Sequence, residues 1–189
     1  MSGSIAVVIP HIPLRDGTEM WDECINSVKA QTRQPDQLII EVDEGRTGAA
    51  ATQNRALARV ESDWVALLGD DDYFFPNHLA VLEANATEDV IWPDCVTLGR
   101  SDLVLCADFD PVRIQRDNWI PGGGSLIRTA AARAVGGWCK PGDPDYHRYE
   151  DWIMWQRLHA AGYTFRHVHE VTWAYRFGLH QTAGRPLEG

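Results

Sequence analysis

The sequence predicts a single α/β domain built on a Rossmann-like mixed sheet. Three observations carry that prediction. Short β-branched apolar runs alternate with amphipathic segments three times in the first half, the pattern of a parallel sheet with right-handed crossovers. A chain of 189 residues, 44% hydrophobic and 23% charged, has the size and composition of one globular domain with its own core. No long linker, internal repeat or low-complexity stretch divides it. The chain is therefore read as one domain over 1–189, with a β-α half to about residue 92 and a less regular half from about 93.

Ile5–Ile9 is a continuous apolar run ended by Pro10 and reads as a buried parallel strand. Thr18 is placed to cap a helix reaching Gln31, with Met20, Trp21, Cys24, Ile25 and Val28 as its apolar stripe. Gln37–Val42 is the second strand and Gly48–Val60 an Ala-rich second helix. Trp64–Leu68 is the third strand, after which Pro76 opens a third helix to about Asn85. Val90–Trp92, Cys95–Leu98 and Leu103–Cys106 read as short strands. The turn Pro121–Gly124 precedes another short strand and a helix from about Thr129 to Val135. Tyr149–Ala161 is a helix, and Thr164–Val168 and Val171–Tyr175 are closing strands.

The formal net charge of −10 argues against a protein that coats nucleic acid or anionic membrane by electrostatics alone. Cys24, Cys95, Cys106 and Cys139 are widely spaced and form no C-x-x-C pair, so they read as reduced thiols of a cytoplasmic protein. The N-terminus lacks the basic region and apolar length of a signal peptide, and no stretch approaches a membrane span. Eight Trp and five Tyr are many for this size, and most are expected in the core.

Ligands of open α/β sheets bind at the carboxyl ends of the strands. Those ends carry Pro10–His11, then Asp43, Glu44 and Gly45, then Asp70, Asp71 and Asp72. Three adjacent carboxylates repel one another unless a cation neutralises them, and hard ions such as Mg²⁺ and Mn²⁺ take such oxygen ligands. A solvated acidic turn is the plainer reading of the triplet. In an extended segment alternate side chains diverge, so the three would not share one ion. Asp43 is placed to accept from a ribose or base, or else from its own turn; Arg55 reaches a diphosphate or makes a surface ion pair. Glu150 and Asp151 open a helix, where the dipole stabilises them and where one could act as a general base. Trp152, Trp155 and Leu158 share a helix face and read as core. His167 and His169 face one side of a strand, and of the seven histidines only His180 is singled out as a metal ligand.

Taken in order, these segments resemble the family 2 glycosyltransferases of the GT-A fold. IAVVIPHI resembles the opening strand, and VDEG followed by GAAATQNRAL resembles the nucleotide-binding D-x-G and its helix. LLGDDDYFFPNHL resembles the D-x-D region, and GGGSLIRTAAARAVGGW the acceptor-side segment. YEDWIMWQRLHAAGYTFRHVHEVTWAYR resembles the E-D helix and closing strands. The resemblance implies an inverting transferase that uses a nucleotide-diphosphate sugar, uridine being the first expectation, with Mn²⁺ or Mg²⁺. It assigns the cation to Asp71, Asp72 and His180, and catalysis to Asp151 with Glu150 beside it. It assigns the donor nucleotide to Pro10, His11, Asp43, Gly45, Asn54, Arg55 and Asp70. The first 92 residues become the nucleotide half and the rest the acceptor half. The sequence departs from the family pattern at Gly69, where many members have the first aspartate, at His11 in place of Thr, and in the three residues between Arg176 and His180. The expected acceptor is a glycan or lipid-linked glycan, with a protein, a small metabolite or a modified DNA base as alternatives. A sugar-1-phosphate nucleotidyltransferase would want more than the single Arg of PHIPLRDG after its first strand. The other readings are a non-catalytic nucleotide- or sugar-binding module and a metal-dependent phosphoesterase.

Overall fold

The computed structural model describes residues 3–99, 107–146 and 149–177. Its strands form one seven-stranded mixed sheet, ordered β2 (Gln37–Val42), β1 (Ile5–His11), β3 (Trp64–Leu67), β6 (Leu126–Arg128), β5 (Val90–Leu98), β7 (Phe165–Arg176) and β4 (Tyr73–Phe74). The three β-α units of the first half fold as expected. β1 (Ile5–His11) lies parallel between β2 (Gln37–Val42) and β3 (Trp64–Leu67), and α1 (Glu19–Lys29) and α2 (Ala49–Arg59) make the crossovers. Ile5 through Ile9 are fully buried because helices cover both faces of the strand. Thr18 caps α1 through its hydroxyl, which accepts from the Trp21 N–H.

β4 (Tyr73–Phe74) follows the acidic triplet and pairs antiparallel with the last strand, a two-residue pairing too short to leave a periodic signal. α3 (His78–Ala84) starts at His78, two residues later than Pro76. β5 (Val90–Leu98) is one strand, where the apolar pattern gave two. Pro93 has no N–H to give, yet the chain stays extended through it. β6 (Leu126–Arg128) runs antiparallel to both β3 and β5, which makes the sheet mixed. It leads directly into α4 (Thr129–Ala134). α5 (Glu150–Ala160) then leads into β7 (Phe165–Arg176), again one strand in place of two. β7 runs parallel to β5, with register shifts around Pro93, Asp94 and Cys95. Residues 103–106, expected as a strand, lie outside the described residues, as does His180.

The core has two clusters. One packs α5 and its Trp155, Met154 and Leu158 against Val8, Leu67, Trp92, Trp119 and Trp138. The other joins Ile5, Val7 and Ile9 to Cys24, Phe74, Leu79, Leu82 and Trp173. Trp119 and Trp138 are therefore core residues, and Cys24, Cys95 and Cys139 are buried free thiols. No helix among the described residues is long and apolar enough to cross a membrane.

Candidate active site

The site forms where the carboxyl end of β3 meets the turn before β6 and the start of α5. Gly124 N–H donates to the Leu67 carbonyl and Leu67 N–H to the Ser125 carbonyl, so the glycine turn is bonded to the strand that leads into the acidic triplet. The Ser125 hydroxyl closes that turn on the Pro121 carbonyl at 2.6 Å. Glycine is required along it because side chains crowd each position. A Cβ at Gly124, where φ is +72°, would lie 2.3 Å from the Trp173 indole. One at Gly123 would lie 3.6 Å from Asp72 Oδ2, and one at Gly122 would lie 3.0 Å from Asp151 Cβ. Adjacent glycines of the turn thus lie against Asp151 and near Asp72.

The acidic triplet is a tight turn, closed by Asp72 N–H on the Gly69 carbonyl. Its three carboxylates have different partners. Asp70 accepts from the Ile12 N–H at 2.9 Å, meets His11 Nδ1 at 3.1 Å and pairs with Arg15 Nε at 2.8 Å. Asp71 pairs with the other end of the same guanidinium, Arg15 Nη2, at 2.7 Å. Asp72 accepts from the Arg176 N–H at 2.7 Å, while the Arg176 guanidinium bonds the Asp71 carbonyl and Glu23. Burial and the neighbouring Asp71 hold the Asp72 carboxyl well above the usual carboxylate range. Burial raises Asp71 as well, with Arg15 opposing and Asp70 adding to the rise. Burial, with the mutual repulsion of neighbouring carboxylates added to it, thus favours the protonated forms of Asp71 and Asp72. Gly69 is also accounted for, since a Cβ there would lie 2.8 Å from Asp72 Oδ2.

Asp151 is held in the first turn of α5. Its carboxylate accepts from the Trp152 N–H at 2.7 Å and from the Asn118 amide at 3.2 Å. Burial raises it above its ordinary value. Glu150 is pushed up to about 7 by burial and by the charge of Asp151. Trp152 and Trp155 donate their indole N–H groups to the carbonyls of Ile114 and Ile120, which anchors the segment that carries Asn118. Asn118 Oδ1 is buried with no hydrogen-bond partner among the described residues, an acceptor left open beside Asp151.

The residues expected at the donor nucleotide sit around this edge in unlike settings. Pro10 and His11 end β1, and His11 is buried, stacked on Trp21 at 3.9 Å between Asp70 and Asp16. Asp43 makes the turn-forming bonds, accepting from Thr47 N–H and hydroxyl and from Gly48 N–H. Burial pushes its carboxyl up, but those bonds outweigh it and hold it below the usual range. Gly45 lies in that exposed turn. Arg55 pairs with Glu41 at 2.8 Å and donates to the Thr47 hydroxyl. Asn54 points the other way: its side chain donates to the Trp138 carbonyl and accepts the Trp138 N–H, tying α2 to the segment before α5.

Three groups escaped the sequence reading. Arg15 is the lone cation of the loop after the first strand, and it pairs with Asp70 and Asp71. Asn118 left no signal, since nothing local marks an Asn whose partner lies on a distant helix. His167 and His169 share a face as expected, but with Asp94 they form a group whose ligand atoms all lie within 4.8 Å of one another.

No family profile matches the chain. It is 23% identical over 190 residues to the uncharacterized glycosyltransferase YwdF of Bacillus subtilis (strain 168), covering 82% of this chain and 68% of that protein. Its fold is similar to S. aureus TarS. The TarS 1-349 structure in complex with UDP-GlcNAc superposes with a TM-score of 0.69 at 14% identity, over 94% of this chain and 60% of that one. The complex with UDP gives a TM-score of 0.68 at 13% identity, over 92% and 60%. A longer TarS structure matches at 0.68 and 13% over 92% of this chain, which spans 37% of it.

Proposed function

We propose that this chain is an inverting glycosyltransferase of the GT-A, family 2-like type, moving a sugar from a uridine-diphosphate donor to an acceptor hydroxyl. The observation that carries the reading is that Asp72 and Asp151 lie beside adjacent glycines of one turn, at the carboxyl end of β3. The triplet offers carboxylate oxygens for a cation that would in turn attract a diphosphate, and the start of α5 offers a half-buried carboxylate with a raised pKa. The names of the relatives, a glycosyltransferase and a protein bound to UDP and UDP-GlcNAc, support the same reading.

Asp71 and Asp72 would hold Mn²⁺ or Mg²⁺, with His180 completing the set; the two carboxylates are adjacent on one tight turn and oxygen donors of this kind suit such hard ions. When bound, such an ion stabilises charge on the departing diphosphate. Asp70 acts indirectly, fixing Ile12, His11 and Arg15. The Asp43–Gly48 turn and Arg55 would border the base and ribose, and Asn54 acts indirectly, fixing α2 to the backbone of Trp138. Asp151 takes the proton from the acceptor hydroxyl as that oxygen attacks the anomeric carbon from the face opposite the leaving group. Asn118 orients the base with its amide. The acceptor is taken to be a glycan or lipid-linked glycan, as the resemblance to family 2 glycosyltransferases implies.

A screen of UDP, GDP, TDP and CDP by thermal shift, with and without Mn²⁺, tests this without an acceptor, because a ligand of the native state raises its apparent stability. Metal-dependent stabilisation by UDP is expected. Phosphate release from simple phosphoesters, with no nucleotide binding, would transfer the site to a metal-dependent phosphoesterase.

A further inference from the structure

We propose a second metal site, for Zn²⁺, formed by Asp94, His167 and His169 away from the acidic triplet. His167 and His169 alternate on β7 and so face one way, as Trp92 and Asp94 do on β5. His167 lies opposite Trp92 in the ladder and stacks on its ring at 5.5 Å and 12°. Between Val168 and Val171 the register slips, three residues of β7 advancing for one of β5. An unbroken ladder would pair Asp94 with His169; the slip pairs Asp94 with Val171 and leaves His169 in the irregular stretch of β7, where one ligand atom from each of the three residues still falls within 4.8 Å of the others.

The contacts divide the donor atoms. His167 Nε2 lies 2.8 Å from Asp94 Oδ1. Asp108 Oδ1 lies 3.2 Å from His167 Nδ1 and 2.9 Å from His169 Nε2. A carboxylate on the outer nitrogen of a ligating imidazole fixes its orientation and raises its basicity, the usual arrangement around a protein-bound zinc. The Asp108 side chain is 76% exposed, and its two chain neighbours are anchored. Trp119 donates to the Ala107 carbonyl at 3.2 Å, and Phe109 stacks on Phe165 at 4.3 Å. Two imidazoles and a carboxylate suit Zn²⁺ among the borderline ions and are a poor set for Mg²⁺ or Ca²⁺. The His167 side chain is only 2% exposed while that of His169 is 69% exposed, so the site has a packed floor and an open mouth for entry of the ion. Bound there, zinc would fasten the Ala107–Asp110 segment to β5 and β7. Its part is structural, and it stands apart from the donor-site cation.

Equilibrium dialysis of the full chain against Zn²⁺ alone tests the site, with His169→Ala and Asp94→Asn as site variants and Asp71→Ala as the control for the acidic triplet. The wild type and Asp71→Ala should each retain one tight Zn²⁺ per chain, and each site variant should bind about 10–100-fold more weakly. Co²⁺ in place of zinc should give visible ligand-field bands in the wild type that His169→Ala lacks. Because His169 is largely exposed, its substitution leaves the fold in place. Equal Zn²⁺ affinity in the wild type and both site variants would overturn the proposal, as would loss of the tight ion in Asp71→Ala alone.

Discussion

Arg15 and Asp71 form an ion pair at 2.7 Å inside the turn that follows the third strand, and the same guanidinium holds Asp70 at 2.8 Å. One side chain of the loop after β1 thereby neutralises part of the charge at the end of β3. Arg15 is buried, so its removal leaves two carboxylates of a crowded triplet without their partner.

Arg15→Ala is expected to destabilise the protein by about 3–5 kcal/mol, the usual consequence of breaking a buried pair on one side. Chemical denaturation measures this directly. Adding Mn²⁺ should restore part of the loss, because the ion takes over neutralisation of Asp71. No recovery with Mn²⁺ would separate Asp71 from the cation.

Asp151→Asn is expected to keep donor affinity and to lower transfer by about 10²–10⁴-fold, the range typical of a general base. A transfer assay run beside calorimetry of the donor checks both halves. Asn118→Ala, which removes a bond to that carboxylate and not the carboxylate itself, should cost less in the same assay.

Gly124→Ala tests the glycine turn. The added methyl would meet Trp173 at 2.3 Å from a backbone with positive φ, so overpacking alone should cost about 1–3 kcal/mol. The melting temperature should fall, and transfer should fall with it as the turn displaces Asp72 and Asp151.

The sheet edge and its carboxylates were legible because local rules set them: apolar runs give the parallel strands, and turn residues follow each one. What escaped depended on distant partners. Nothing in Tyr73–Phe74 announces a pairing with Ala174 and Trp173. The two halves of β5 read as separate strands because Pro93 and Asp94 interrupt the apolar pattern, although β7 keeps them in one ladder. Within the candidate site, residue types were readable and their duties were not. Asn54 and Asp70 stand in promising positions, yet both are committed to neighbours, Trp138 and Arg15, that lie far off in the chain.

Glu150 supplies a pH test. Its pKa is raised to about 7 in the folded protein, so the folded state binds a proton that the unfolded chain releases near the ordinary value of 4.5. Its contribution is fully favourable below that ordinary value and is lost as pH rises through about 7. Glu150→Gln, which stays neutral, should therefore gain stability relative to the wild type between about pH 5 and about pH 8. Denaturation curves for the pair across that interval should diverge with rising pH. A constant difference would mean that Glu150 is not the group that titrates.

The central claim, a nucleotide-sugar site organised by the acidic triplet, is tested most directly by calorimetric titration of UDP into the wild type and Asp71→Ala, each with and without Mn²⁺. UDP should bind the wild type with an affinity that depends on Mn²⁺, and Asp71→Ala should lose that dependence while remaining folded. Folded wild-type protein that binds no UDP under either condition, or Mn²⁺-dependent binding unchanged in Asp71→Ala, would contradict it.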